Sequence, residues 1–344
     1  MRPAMLSVED YDAAEQRAVE QLPNRIIQCC QPELFQTVGY PTRVRATASL
    51  HRYVDVMQET RARVIYDHLL KGVSASEADA ITDMATIVAE MSERVYRRRC
   101  VPVSALLRAL IVVRRALALM PHCTATILEI GSGSGYVAAL LARSGHPVIV
   151  TDVSQAFYLH QFQLFSSIGR QLIELANDPR SLSEAVAGPT GCIIHVPWWK
   201  FYTVGASLFI PIDLITMNHC VCEMHPFALA YVLKTSAAAL AQSSEQLRCI
   251  IIDGFGSTIM HSREEAESAF FGSGFEAQSD GIVSIFTPND KQRNELVSRL
   301  QTCAFPDQPV SFKTLMKSLT SIAGRNDLRT DDELFLSYIG ADAL

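Results

Sequence analysis

The stretch at 126–136, TILEIGSGSGY, constrains the chain more than any other. A short apolar run, Ile127-Leu128-Glu129-Ile130, is broken by Gly131, Gly133 and Gly135, with Ser132 and Ser134 between them. Strong helix formers then resume at Val137. The pattern reads as a strand, a glycine turn and a helix start. Glycine serves where φ is positive or where the backbone must come close to a ligand. A second run, HPVIVTD at 146–152, reads as another strand ending in Asp152. An acid at that point can accept hydrogen bonds from a ribose. The unit predicts a nucleotide-like ligand at a strand–loop–helix junction, the plainer alternative being an ordinary α/β turn.

The third glycine narrows the ligand. A dinucleotide fingerprint, G-x-G-x-x-G, needs glycine at position 136, where helix and strand pack closely. Tyr136 stands there instead. With Glu129 ahead of it, the run E-x-G-x-G-x-G resembles the first motif of the class I S-adenosylmethionine (SAM) methyltransferases. That resemblance implies SAM as methyl donor and S-adenosylhomocysteine (SAH) as product. Its binding set here is Glu129, Gly131, Ser132, Gly133, Ser134, Gly135, Asp152 and Val153. The implied fold is α/β, a Rossmann-like sheet of five parallel strands followed by an antiparallel hairpin.

Bulk properties agree with a globular chain. Of 344 residues, 49% are apolar and 19% charged, enough for a core and too few charges for disorder. Net charge is −6, so no global basic field draws nucleic acid or an anionic membrane. The nine cysteines are irregularly placed and the first residues turn polar and acidic at once, so reduced thiols in a cytoplasm are expected. The longest apolar stretch, 106–120, is interrupted by Arg108, Arg114 and Arg115 and is not expected to span a bilayer.

Three regions are expected: a helical cap for substrate or dimerisation at 1–100, the SAM-binding domain at 101–290, and a helical extension at 291–344. Helices are predicted at 7–22, from Leu50 to Gly72, and after the capping box Ser74-x-x-Glu77. The last carries Ile81, Met84, Val88, Met91 and Val95, a seam for another helix of the chain or, in a homodimer, of a second copy. Arg97-Arg98-Arg99 reads as a solvated helix end rather than a phosphate site. Strands are predicted at 126–130, 147–151, 191–196, 212–217 and 248–253, with helices between. Asp280-Gly281 marks a two-residue hairpin turn. Helices at 291–302 and 312–323 precede an acidic tail, Asp331-Asp332-Glu333.

Ligands of open α/β sheets lie outside the carboxyl ends of the strands. After the fourth expected strand comes Asn218-His219-Cys220-Val221-Cys222-Glu223-Met224-His225. Asn218 can orient substrate or the SAM amine. His219 is the candidate base, with Glu223 four residues on to orient it, the bland alternative being backbone contact and helix capping. His219 and His225 fall on different faces of a helix, so no metal is expected. Pro197 and Trp198 follow the third expected strand, where a tryptophan can stack on adenine or simply pack. Tyr158, His160 and Gln161, after Asp152, are candidates to face the acceptor, as is His225.

Asp152-Val153-Ser154 with Tyr158-Leu159-His160-Gln161, and Asn218 with Cys222-Glu223-Met224 and Tyr231, resemble a bacterial sugar O-methyltransferase family over about residues 100–240. Ser154 departs from that family's proline, and Cys220 or Val221 from its serine. The resemblance implies methyl transfer to a small-molecule hydroxyl, on a sugar or a natural-product scaffold, with the N-terminal helices choosing the acceptor. An N- or C-methyltransferase acting on a small metabolite or protein, and a silent SAM-binding partner protein, stay as alternatives. No N/D-P-P-Y/F segment follows the fourth strand, which argues against nucleobase or glutamine amides.

Overall fold

The computed structural model describes residues 6–30, 42–51, 69, 72–120, 124–186, 192–204, 210–243, 247–280, 283–288, 290–301 and 309–324. Eight strands form one sheet: β1 (Ile127–Ile130), β2 (Val148–Asp152), β3 (Leu172–Glu174), β4 (Ile193–Pro197), β5 (Leu214–Thr216), β6 (Cys249–Ile252), β7 (Glu276–Ser279) and β8 (Ser284–Thr287). Their order is β3-β4-β2-β1-β5-β6-β8-β7. β1, β2, β4, β5 and β6 are buried at every residue. That is why they read as continuous apolar runs: a parallel sheet is covered on both faces.

The first six strands of that order are parallel, and β8 and β7 close the sheet antiparallel. Five parallel strands and the hairpin are as expected. The sixth, β3, is an addition at the edge, and its three residues are too few for an alternation to be legible. Ser279 pairs with Ser284, and the Asp280 N–H donates to the Val283 carbonyl at 3.3 Å; Gly281 of the expected turn lies outside the described residues. β1 lies between β2 and β5. The chain leaves it toward opposite edges, which makes its carboxyl end the switch point of the sheet.

Helices α1 (Val8–Val19), α2 (Asn24–Cys29), α3 (Ala75–Tyr96) and α4 (Val103–Leu119) precede the sheet. α5 (Tyr136–Arg143), α6 (Gln155–Phe165), α7 (Leu182–Val186), α8 (Trp198–Phe201), α9 (Pro226–Gln242) and α10 (Arg263–Gly272) alternate with its strands. α11 (Asp290–Gln301) and α12 (Phe312–Ala323) follow it. The seam of α3 is covered within the chain. Ile81, Met84, Val88 and Met91 are fully buried, and the helix packs on α12 and α4. Val73 and Val310 exchange backbone hydrogen bonds of 3.2 and 2.8 Å, so the segments before and after the sheet meet. Arg99 donates to the Ile322 carbonyl of α12 at 3.1 Å, in keeping with the helix-end reading of the arginine run. The expected helix from Leu50 to Gly72 falls mostly outside the described residues, as does the acidic tail. No described helix is long and apolar enough to cross a membrane.

The arginines of α4 are its anchors. Arg108 meets Asp253 at 2.6 Å and Arg115 meets Asp280 at 3.3 Å. Arg114 forks onto Glu77 at 2.6 and 2.9 Å. Glu77 also completes the capping box, accepting the Ser74 N–H at 2.8 Å. The Arg114 side chain is 13% exposed and that of Glu77 20%. Ser74→Ala removes only a cap and should cost about 1 kcal/mol. Glu77→Ala also strands a mostly buried guanidinium and should cost more, roughly 2–3 kcal/mol. Urea unfolding of the two variants checks the order; equal losses contradict the anchor.

Candidate functional site

A cavity opens at the carboxyl ends of β1, β2 and β5, with about 700 Å³ of open space when the solvent at its mouth is included. Its floor is Ile130, Gly131, Thr151, Asp152 and Val153. Cys220, Glu223, Met224, His225 and Ala228 form one wall, Phe201, Tyr202 and Met260 another, and Gln28, Cys29 and Cys30, at α2, a third. Among these described lining residues there is no lysine or arginine.

The glycine loop is built as its composition requires. Gly131, Gly133 and Gly135 have φ of +66°, +55° and +75°. These values are strained for any residue with a Cβ. At Gly131 an added Cβ would also stand 2.6 Å from Cys220 Cβ. Gly135 caps the start of α5. Asp152 ties the loop to β2. Its Oδ2 accepts the Gly133 N–H at 2.9 Å, and its Oδ1 accepts the Ser154 N–H at 3.0 Å. Burial pushes its carboxyl up to about 6, against the opposing pull of those hydrogen bonds. Gln161 braces the same unit from α6, donating to the Gly133 carbonyl at 2.7 Å and to Asp152 Oδ2 at 3.4 Å. Its Oε1 lies 2.9 Å from His195 Nε2.

Glu129 lies in β1 beneath the loop, 2% exposed, and its Oε2 has no partner. Burial pushes its carboxyl up to about 8. Ser132 Oγ is buried without a partner, and Ser134 is half-buried in the loop. Asn218 is at the end of β5. Its Oδ1 accepts the Asp253 N–H at 3.0 Å, and its Nδ2 is buried with no partner.

His219 does not line the cavity. It takes φ +57°, donates its N–H to the Gly254 carbonyl at 2.7 Å, and lays its ring on Gly254, where a Cβ would come within 2.3 Å of Cε1. Its Nε2 is 3.9 Å from Asp253 Oδ2, on the side of the Arg108 ion pair. Glu223 and His225 do line the cavity. Glu223 Oε1 accepts the Ser257 N–H at 2.8 Å, so it does not orient His219 through that atom, and burial raises its carboxyl above the usual range. His225 caps α9, its Nδ1 accepting the Phe227 N–H at 3.3 Å. In the neutral ring that leaves the proton on Nε2.

The other expected contacts lie elsewhere. Tyr158 is fully buried, donates to Glu174 Oε1 at 2.6 Å and stacks on His195 at 3.6 Å. His160 is buried, 2.8 Å from the Tyr96 hydroxyl, and burial lowers its ring to about 4. Both serve the packing of α6 because helix and sheet enclose them on every side. Trp198 donates to Glu15 at 2.7 Å and packs edge-on against Trp199, so it holds α1 rather than facing the cavity. Pro197 pairs in register with Asp152 at the end of β4. Phe201, Tyr202, Met260 and the α2 residues were not foreseen, since no motif marks them. The glycines Gly254 and Gly256 were the one usable signal, as they make room for His219 and Glu223. Among the described residues, no group of three or more His, Cys, Asp or Glu is placed to hold a metal ion.

No family model matches the sequence, and no curated protein matches it. Among solved structures the chain is similar to a TehB-like SAM-dependent methyltransferase from Corynebacterium glutamicum, at 17% identity over 52% of this chain and 87% of that one, TM-score 0.35. It is similar to a SAM-bound amino pentose methyltransferase from Micromonospora echinaspora, at 14% identity over 53% and 90%, TM-score 0.34. It is also similar to an SAH-bound magnesium protoporphyrin IX methyltransferase from Synechocystis PCC 6803, at 12% identity over 57% and 91%, TM-score 0.31.

Glu129 gives this site a pH signature. Its folded-state pKa, about 8, stands above the ordinary 4.5, so the folded chain holds a proton that the unfolded chain releases. The resulting stability is complete at low pH and is lost as pH rises toward 8. Between pH 5 and pH 8 the wild type should therefore lose more stability than Glu129→Gln, by on the order of 2–4 kcal/mol. Urea midpoints at the two pH values measure it; parallel losses contradict it.

Proposed function

We propose that this chain is a SAM-dependent methyltransferase acting on a hydroxyl of a small molecule. The observation that carries the reading is the convergence of Gly131, Asp152 and Glu223 on one cavity at the switch point of the sheet. The residues fit such a donor. Asp152 offers a ribose a buried acceptor, and two acids with no lysine or arginine among the described lining suit a sulfonium. Asn218 keeps an unpartnered buried amide donor of the kind a methionine carboxylate takes up. When bound, SAM supplies an electrophilic methyl group on a positively charged sulfur.

The chain's own groups then have separate tasks. The glycine loop and Asp152 hold the nucleoside. The apolar wall excludes water, which favours alignment and strengthens each electrostatic contact. Glu223, fixed by the Ser257 N–H, holds the proton taken from the acceptor hydroxyl. His225 presents Nε2–H and can donate to the acceptor oxygen. Gln28, Cys29 and Cys30 bring the N-terminal helices to the cavity, which supports a role for them in choosing the acceptor.

Calorimetry with SAH tests the donor site. The wild type should bind it, and Asp152→Ala should bind at least tenfold more weakly, the loss expected for a hydrogen bond to a charged group. No binding by the wild type sinks the reading. Labelled-methyl transfer into a metabolite extract tests the base. Glu223 must be ionised to act, and burial raises its carboxyl. Turnover should therefore fall on acidification with a midpoint above the ordinary glutamate range. Glu223→Gln should lower kcat by about 10²–10⁴ with SAH affinity retained. A variant with full turnover removes Glu223 from the mechanism.

A further inference from the structure

Beyond the donor loop, the walls of the cavity carry information about what is methylated. Cys29, Cys30, Phe201, Tyr202, Met224 and Met260 give them a surface of thiols, thioethers and aromatic rings, with Gln28, Glu223 and His225 as the polar groups among them. Next to the cavity-lining His225, Phe227 is 72% exposed with its ring 5.5 Å from the imidazole, so the aromatic surface continues to the rim. From this lining we infer that the acceptor is a phenol or enol on a flat apolar scaffold rather than a sugar, an inference that rests on the methyl-transfer reading above.

Three arguments converge. Sulfur-containing side chains make favourable contacts with the edges and faces of aromatic rings. A sugar would bring several hydroxyls against this wall, more than Gln28, Glu223 and His225 can partner, and the surplus would lose water without replacement. A carboxylate or phosphate acceptor would lie beside Asp152 and Glu223 with no described lysine or arginine in the lining to balance it. The base points the same way. Proton transfer works best when donor and acceptor pKa values are not far apart. A carboxylate matches a phenol, with a pKa of about 10, far better than an alkyl hydroxyl nearer water at about 15.7. In the step itself, Glu223 takes the hydroxyl proton. A lone pair of the oxygen forms the new O–CH3 bond as the S–CH3 bond of the donor breaks. That bond's electron pair stays on sulfur, leaving neutral SAH.

The test is calorimetry on the full chain saturated with SAH, titrated with 2-naphthol, 2-naphthoate and methyl β-glucoside. 2-Naphthol should bind at least tenfold more tightly than either of the others. Ala228, 3% exposed in the first turn of α9, lines the cavity three residues after His225. Ala228→Phe should lose at least tenfold in naphthol affinity while SAH affinity stays within twofold, which also reports that the variant is folded. Glucoside or naphthoate binding as tightly as naphthol, or no naphthol binding with SAH bound, overturns the acceptor class alone. Failure of the wild type to bind SAH removes the methyl-transfer reading and this inference with it.

Discussion

The carboxylate of Asp152 is the contact on which the site depends. It is buried at the end of β2 and spends one oxygen on the Gly133 N–H and the other on the Ser154 N–H. Those two donors belong to the glycine loop and to the turn that starts α6. One side chain thus sets the height of the loop over the sheet and the entry of the following helix. A buried charge of this kind persists only with such partners, and burial still pushes it up to about 6. The group that would meet a ribose is also the group that holds the loop in shape.

The surroundings reinforce that unit from two directions. Below it, Gln161 links the loop to His195, and His195 stacks on Tyr158, which reaches Glu174 on the edge strand. From the outside, the N-terminal segment clasps the start of α6. Ser154 Oγ and the Ala156 N–H both donate to the Thr42 carbonyl, at 3.2 and 3.3 Å, and the Val44 N–H donates to Gln155 Oε1 at 2.8 Å. Glu15 joins Trp198 of α8 to Arg43. The helices before the sheet are therefore fastened to the very turn that carries the acid, which brings α2 over the cavity.

Much of the fold was legible in the sequence because its signals are local. Buried parallel strands appear as unbroken apolar runs, and Ser7 and Ser74 each mark a helix start by their own hydrogen bonds. The glycine loop was legible for the same reason, since positive φ favours glycine, and Asp152 because it ends an apolar run. Side-chain direction was not. His219 and His225 both follow β5, and only the left-handed backbone at His219, with the space offered by Gly254, turns its ring from the cavity and leaves that wall to Glu223 and His225. Tyr158, His160 and Trp198 follow strand ends in the sequence, yet each is enclosed by elements distant in sequence. The cavity wall is assembled from α2, α8, the segment after β5 and the loop after β6, a convergence that no single stretch announces.

The central claim is that the donor's nucleoside lies over the glycine loop with its ribose on Asp152. A crystal structure of the chain with SAH measures this directly. The account predicts both ribose hydroxyls within hydrogen-bonding distance of the Asp152 carboxylate and the sulfur directed toward Glu223 and the cysteine-lined wall. SAH seated elsewhere, or seated with its ribose away from Asp152, would contradict it.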